Sequence, residues 1–258
     1  MLAMSSKVIY GVNAVTEALR EQGRVNRIYI AKESRAHGVN ALVAEAKRGK
    51  VRFDFVPQAK LNELAGTQEH QGVVAIVSPV QYTQLEDCLE RCGEKATLLV
   101  LDQIQHPKNL GLLIRTAVGA GVSGVLVTSR GGALLDEDVL RASAGTAFHV
   151  PLVQCGNVAQ TLRKLKDAGF WVYAMDVAGG QSVFDAPWAD RCALVLGNET
   201  EGLRPGVRKA ADASVTIPLA RDLDSLNVAV AGAIALFQIA NCHGALCSET
   251  NARTRGSG

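Results

Sequence analysis

Apolar and polar positions along this chain repeat with two periods, and the alternation between them maps the elements. Residues 11–23 (GVNAVTEALREQG) carry apolar positions at helical spacing, and the run 26–31 (NRIYIA) reads as a strand. The pattern recurs as helix 39–50, strand 51–57, helix 59–66 and strand 72–78, a compact α/β unit close to the smallest size that folds alone. From 79 to 96 the sequence turns polar and irregular around a short helical pattern, LEDCLERCG, and reads as a linker. A second alternation starts at Thr97. Strand candidates are TLLVLD, GVLVTS, FHVPLV, FWVYAMDV, CALVLGN and SVTIPL, and helical segments at 109–120, 136–144, 157–168, 203–211 and 225–242 separate them.

Strands that are apolar on both faces and separated by helices predict a parallel sheet covered on two sides. The expected organisation is a first domain over 1–78, a linker over 79–96, a second α/β domain over 97–245 and a disordered polar tail over 246–258. Ligands of such sheets lie at the carboxyl ends of the strands, so the loops that follow the strands are where chemistry is sought.

Composition changes this picture little; charge distribution changes it more. The chain has 258 residues, 48% hydrophobic and 20% charged, with a net charge of +2. Residues 1–80 hold 11 Lys and Arg against 7 Asp and Glu, whereas residues 81–258 hold 16 against 18. A basic first third on a near-neutral body is the footprint of a polyanion-binding unit or an unevenly charged solvated surface. The cations cluster as Arg24, Arg27, Lys32, Arg35, Lys47, Arg48, Lys50 and Arg52. Six cysteines (Cys88, Cys92, Cys155, Cys192, Cys242, Cys247) form no CxxC pair, which suits reduced thiols in a cytoplasmic protein and suggests no metal. The most apolar stretch, 228–240, is too short to span a membrane and reads as a buried helix.

The sequence GAGVSG (119–124) matches a dinucleotide-binding fingerprint, but it closes a helix and enters a strand, the reverse of the order that places amides on a pyrophosphate. These glycines are expected to be helix-end and turn residues. Three other loops carry the candidate chemistry. In DQIQHPKNLGLLIR (102–115), Asn109 can cap a helix from which Arg115 projects. The residues three and four positions away from Arg115 are Gly111, Leu112, Val118 and Gly119, so no local carboxylate can pair with it. An arginine buried in this apolar helix would need a partner from elsewhere in the chain or from a ligand. In LVLGNETEGL (194–203) a buried strand ends in Gly197, followed by Glu199, either a first-turn acid favoured by the helix dipole or a functional carboxylate. In IPLARDLDSLNVAVA (217–231), Ser225 and Asn227 open a helix rich in small residues, with Ser225 expected as its cap.

Taken in order, N-L-G-x-x-x-R, L-V-L-G-N-E-x-E-G-L and I-P-L…S-L-N-V-A-V-A resemble the three motifs of the SpoU/TrmH RNA ribose methyltransferases of the SPOUT superfamily. YGVNAVTEAL and HQGVVA near the N-terminus resemble the accessory domain of the 23S rRNA guanosine-2′-O-methyltransferases within that family, so the resemblance covers nearly the whole chain. It implies an α/β fold whose parallel sheet ends in a deep C-terminal trefoil knot, an exception to the rule that chains do not knot, preceded by a small α/β RNA-binding domain. It implies S-adenosylmethionine bound by the backbone around Leu196, Gly197, Ile217 and Leu226, with Arg115, Asn109, Glu199, Ser225 and Asn227 as the catalytic set. It also implies a homodimer through the knot region, 23S rRNA as partner, and no metal or membrane.

In that frame Arg115 pairs with an RNA phosphate, or with Glu199 while the site is empty. Glu199 is either a base or a structural partner, and the two asparagines orient the ribose and hold the loops. The chain departs from the family pattern at Arg221, where motif three usually has glycine, and at His106, where motif one usually has an acid; His106 is expected to tune the surface. The readings left standing beside rRNA guanosine are 2′-O-methylation of tRNA, whose branch usually lacks the N-terminal domain, methylation of another rRNA nucleotide, and a non-catalytic RNA-binding or assembly factor.

Overall fold

The computed structural model describes residues 7–20, 24–33, 38–78, 80–177, 179–221 and 224–246. Arg35, Cys247 and the tail beyond it, together with Asp222 and Leu223 of the third motif loop, lie outside the described residues. The chain forms two compact units, residues 1–81 with 134–149, and residues 82–133 with 150–258.

The first unit holds a four-stranded mixed sheet in the order β1–β4–β2–β3. Its strands are β1 (Lys7–Tyr10), β2 (Val25–Ala31), β3 (Arg52–Val56) and β4 (Val73–Val77). β2 and β3 run parallel, and β4 lies antiparallel to both β1 and β2. Helices α1 (Val12–Arg20) and α2 (Val39–Arg48) bury Val15, Ala18, Leu42 and Ala46, while α3 (Gln58–Ala65) places Leu61 against Ala31 and Val74 on the sheet. The imidazole of His70 is buried just before β4. Its Nδ1 accepts from the Gly72 amide at 3.0 Å and its Nε2 lies 2.7 Å from Asn62 Oδ1, so the ring sits neutral with both nitrogens used.

Residues 134–149, which the sequence reading leaves inside the second domain, group with the first unit. They form α6 (Glu137–Ala142) and a 3-10 turn over Thr146–Phe148. Asp136 caps α6 through the amides of Asp138 and Val139, at 3.0 and 3.1 Å. Lys7 donates to the Leu135 carbonyl, Arg141 lies over the Tyr10 ring at 5.1 Å, and Gly145 meets α1 so closely that a Cβ there would stand 2.7 Å from the Ala14 carbonyl. Local periodicity correctly marks a helix here, but carries no information on which sheet the helix joins.

The second unit is a seven-stranded, wholly parallel sheet in the order β7–β6–β5–β10–β8–β11–β9. The strands are β5 (Ala96–Leu101), β6 (Gly124–Thr128), β7 (Leu152–Cys155), β8 (Trp171–Met175), β9 (Gln181–Ser182), β10 (Arg191–Leu196) and β11 (Ala213–Thr216). On one face, α4 (Leu85–Glu90), α7 (Val158–Asp167) and α8 (Pro205–Ala210) cover Leu98, Val100, Ala193 and Val195. On the other, α5 (Pro107–Gly119) packs on α9 (Val228–Cys242). Gly232 lets α9 pack closely there, because a Cβ would stand 2.5 Å from the end of the Leu113 side chain and 2.7 Å from that of Leu196. The dinucleotide look-alike behaves as expected: Gly119 ends α5, Gly121 takes φ +72° in the turn, and Gly124 opens β6. Burial pushes the Cys88 and Cys192 thiols up to about 11, so neither is a nucleophile near neutral pH. Among the described residues no helix is long and apolar enough to cross a membrane, and no cluster of three potential metal ligands occurs.

Candidate active site

β5 and β10 lie side by side at the centre of the sheet, and the chain order reverses between them: β6 and β7 follow β5 outward, while β8, β11 and β9 lie beyond β10. Three strands therefore end together at this switch point, at Asp102 after β5, at Asp176 after β8 and at Gly197 after β10. Both aspartates are buried and each is neutralised from the α8 region. Arg204 holds Asp102 with two hydrogen bonds, 3.1 and 2.5 Å, and Arg208, one turn on, holds Asp176 at 2.8 Å.

After β10 the chain makes a tight loop. Asn198 and Gly202 exchange both backbone hydrogen bonds at 3.0 Å, and Gly202 takes φ +67°. Gly197 lies so close to that closure that a Cβ would stand 2.3 Å from the Gly202 carbonyl carbon, so glycine alone fits. The Asn198 carboxamide accepts from the amides of Thr200 and Glu201 and donates to the Gln103 carbonyl at 2.9 Å, tying this loop to the one after β5.

Glu199 then crosses to the start of α5. It accepts from the amides of Gln105 at 3.0 Å and His106 at 3.1 Å, and from Asn109 Nδ2 at 3.1 Å. These amides lead into the helix N-terminus, where His106 supplies no side-chain cap and Pro107 has no N–H. The carboxylate thus caps α5 from a different loop. Burial alone would raise its pKa, but the donors from Gln105, Asn109 and His106 outweigh it and hold Glu199 below the usual carboxylate range. The carboxamide of Asn109 continues the network by accepting from Asn227 Nδ2 at 3.2 Å. Asn227 caps α9, its Oδ1 accepting from the Ala229 and Val230 amides at 2.9 and 3.4 Å.

Beside this network opens a cavity of about 530 Å³ whose wall includes Asn109, Leu196, Gly197, Glu199, Ser225, Leu226 and Asn227. Ile217 lines an adjoining recess of about 240 Å³ that shares Met175, Asp176, Val177, Ser225 and Leu226 with it.

The SpoU rRNA methylase family profile matches residues 96–237, and a profile for RNA 2′-O ribose methyltransferase substrate binding matches residues 8–83. The chain belongs to the SpoU family. A Staphylococcus aureus relative assigned to the TrmH family of tRNA/rRNA methyltransferases is 33% identical over 239 residues, 92% of this chain and 96% of its own. An RNA 2′-O ribose methyltransferase crystal structure superposes with a TM-score of 0.80 at 25% identity, over 95% of this chain and 91% of the other. An AdoMet-bound rRNA methyltransferase from Sinorhizobium meliloti does so with a TM-score of 0.76 at 28% identity, over 94% and 88%.

The three SpoU motifs therefore meet through side chains, in the chain Glu199–Asn109–Asn227. Several expectations are corrected. Asn109 is not the cap of α5 but lies in its first turn, bonded across to the other two motifs. Asn227, not Ser225, caps α9, because the helix begins at Val228 and leaves Ser225 two residues outside the cap. Arg115 is exposed, and among the described residues it has no hydrogen bond or ion pair; Glu199 is saturated by other donors and does not meet it. It is also absent from the cavity wall. His106, expected to tune the surface, leads into α5 beside Glu199 and lines the cavity. Arg221 is exposed, just before the undescribed Asp222 and Leu223.

Reading the motifs missed Met175, Asp176 and Val177, which face both recesses at the end of β8. The signal was present in FWVYAMDV, an apolar strand closing on an acid at its carboxyl end, where ligands of parallel sheets bind.

Proposed function

We propose that this SpoU enzyme transfers a methyl group from S-adenosylmethionine to the ribose 2′-hydroxyl of a guanosine in 23S rRNA. The observation that carries the reading is the convergence of Leu196, Gly197, Leu226, Asn109, Glu199, Ser225 and Asn227 on one cavity at the switch point of the sheet. The substrate-binding match over 8–83 supports an RNA substrate, and the resemblance sets the chain apart from the tRNA branch, which usually lacks such a domain. The cavity suits the cofactor in size and chemistry: about 530 Å³ lies within the range of small-molecule sites, with leucine and methionine walls for a flat base and polar loop residues, Ser225 among them, for a zwitterionic amino-acid end. When bound, S-adenosylmethionine supplies a methyl group that its sulfonium already makes electrophilic.

What remains for the chain is to place the 2′-hydroxyl and to let its proton leave. Asn109 and Asn227 spend most of their hydrogen-bonding capacity on each other, on Glu199 and on the α9 amides, so their part is to fix the three loops, with one amide hydrogen each left to point at a ribose. Glu199, held ionised as a helix cap, is a weak base and a good anchor. The guanidinium of Arg115 clamps a phosphate beside the target ribose, which leaves the proton to a phosphate oxygen or water.

The knot belongs to the same proposal. It is supported by the insertion of β10 between β5 and β8, and by the two loops that share one cavity beneath α9. So does a homodimer through this region. α9 is apolar nearly all round, and Val230 and Phe237, with Leu112 of α5, stand exposed where a soluble helix face would be polar.

The test is incubation with S-adenosylmethionine and unmodified 23S rRNA, digestion to nucleosides and mass spectrometry. Expected is 2′-O-methylguanosine, lost with Arg115→Ala. Methylation of another nucleotide, or of tRNA only, would replace the substrate and keep the chemistry. Cofactor binding with no transfer to either RNA would move the non-catalytic reading forward.

A further inference from the structure

The edge strand β3 of the first unit carries an aromatic pair among cations that no carboxylate of the described residues neutralises. Phe53 and Phe55 stand on the same face of the strand with ring centroids 6.0 Å apart, edge to face, and Phe55 is 51% exposed. An exposed phenylalanine on an unpaired sheet edge is a liability unless something covers it. The surrounding charge is one-sided. Among the described residues Lys32, Lys47, Lys50 and Arg52 are exposed and form no ion pair or side-chain hydrogen bond. The carboxylates of this edge are engaged or outnumbered: Glu45 is held by Arg48 and Asp54 by Arg27, while Glu33 stands alone against four free cations. Lys32 is fixed at one end of the aromatic pair by the hydrogen bond its backbone N–H donates to the Val56 carbonyl at 3.0 Å, and Arg52, which strand alternation places on the other face, stands at the other end, roughly 10 Å along the strand from Phe55.

We propose that this edge is a stacking platform for an unpaired stretch of RNA, with a base laid on Phe55 and the flanking phosphates on Lys32, Arg52 and the Lys47–Lys50 turn. An aromatic face accepts any base that is out of a helix and none that is stacked inside one, whereas cations alone serve both forms equally. The platform therefore selects a loop or single-stranded segment of the substrate over continuous duplex. It rests on the RNA reading above and adds the form of RNA that the first unit holds.

The experiment measures binding of the full-length protein to a short single-stranded RNA and to a duplex of equal length, by fluorescence anisotropy at several salt concentrations. Phe55→Ala is expected to weaken the single strand by about tenfold while leaving duplex affinity unchanged. A paired Lys50→Ser and Arg52→Ser variant is expected to weaken both, lowering the slope of log affinity against log salt by about 0.7 per lost contact on the single strand. Phe55→Trp supplies a direct readout, because both native tryptophans, Trp171 and Trp188, lie in the other unit: stacking should quench the new fluorophore on the single strand only. Unchanged single-strand affinity in Phe55→Ala, or an unquenched tryptophan at 55, overturns the proposal even if the wild type methylates RNA. Loss of self-association in Phe55→Ala at full RNA affinity would assign the edge to a second copy instead. If the wild type binds cofactor but neither binds nor methylates any RNA, the functional reading itself fails.

Discussion

Glu199 shows how a motif residue acquires its role from partners that its neighbours in sequence do not reveal. Its carboxylate serves the start of α5, 93 and 94 residues away, and Asn109 as well. Glu199→Gln should destabilise the second unit by about 1 kcal/mol at neutral pH, as the loss of a helix cap does. Because the folded carboxyl is held below its unfolded value of about 4.3, its contribution is complete above that pH and disappears as pH falls through the depressed folded value. Denaturation curves of wild type and variant should therefore differ at pH 7 and converge only once pH has fallen below the depressed folded value. The pH–rate profile of methyl transfer should keep its shape; loss of an ionising limb in the variant would make Glu199 the base after all. Gly197→Ala is the sharper change, since its Cβ would meet the Gly202 backbone, and S-adenosylmethionine affinity measured by calorimetry should fall at least tenfold. The identities of these residues were legible in the motifs. Their pairings were not, because a hydrogen bond between loops 90 residues apart leaves no periodicity to read.

At the level of elements, α9 depends on a residue with two tasks. Asn227 Oδ1 caps the helix and its amide nitrogen reaches Asn109. Asn227→Ala removes both and should cost about 1 kcal/mol together with most of the activity. Asn227→Asp keeps the cap but replaces the donor by a second carboxylate near Glu199. It should hold its stability and still lose transfer, which separates capping from the link between motifs. The turn before β4 has its own titration. Burial holds His70 neutral below its ordinary pKa, so the unfolded chain takes up the proton first and the first unit loses stability as pH falls from about 6.5 toward the folded value. Protection of the β4 amides from hydrogen exchange, corrected for the intrinsic rate at each pH, should fall over that range in the wild type and change little in His70→Gln. Helices and long strands were legible because their apolar repeats run for two turns or more. The four-residue β1 and the two-residue β9 were too short to show a period, and strand order is a property of nonlocal pairing that alternation cannot encode.

For the whole molecule, the grouping of residues 134–149 with the first unit shows why deletion of residues 1–80 is a poor test of RNA binding: it would strip the cover from Val139, Leu140, Ala147 and Phe148. Assembly is better tested by point changes. Arg115 neither joins the Glu199–Asn109–Asn227 network nor lines the cavity, and it projects from the helix whose neighbour α9 exposes Val230 and Phe237. If a second copy covers that face, Arg115 is brought to the subunit boundary, where it can serve its own cavity or the partner's. Phe237→Glu places a charge in the apolar face and should convert a sedimenting dimer to monomer without unfolding either unit, because the ring is already 42% exposed. The two possibilities then separate in a mixing experiment. Arg115→Ala and Gly197→Ala proteins, assayed at a cofactor concentration at which neither is active alone, are unfolded together and refolded to exchange subunits. Recovery of methyl transfer means that the intact Arg115 of one subunit serves the intact cavity of the other. No recovery, with mixed dimers shown by mass, places Arg115 on its own subunit's substrate, and a fully active Phe237→Glu monomer would remove the dimer from the mechanism altogether.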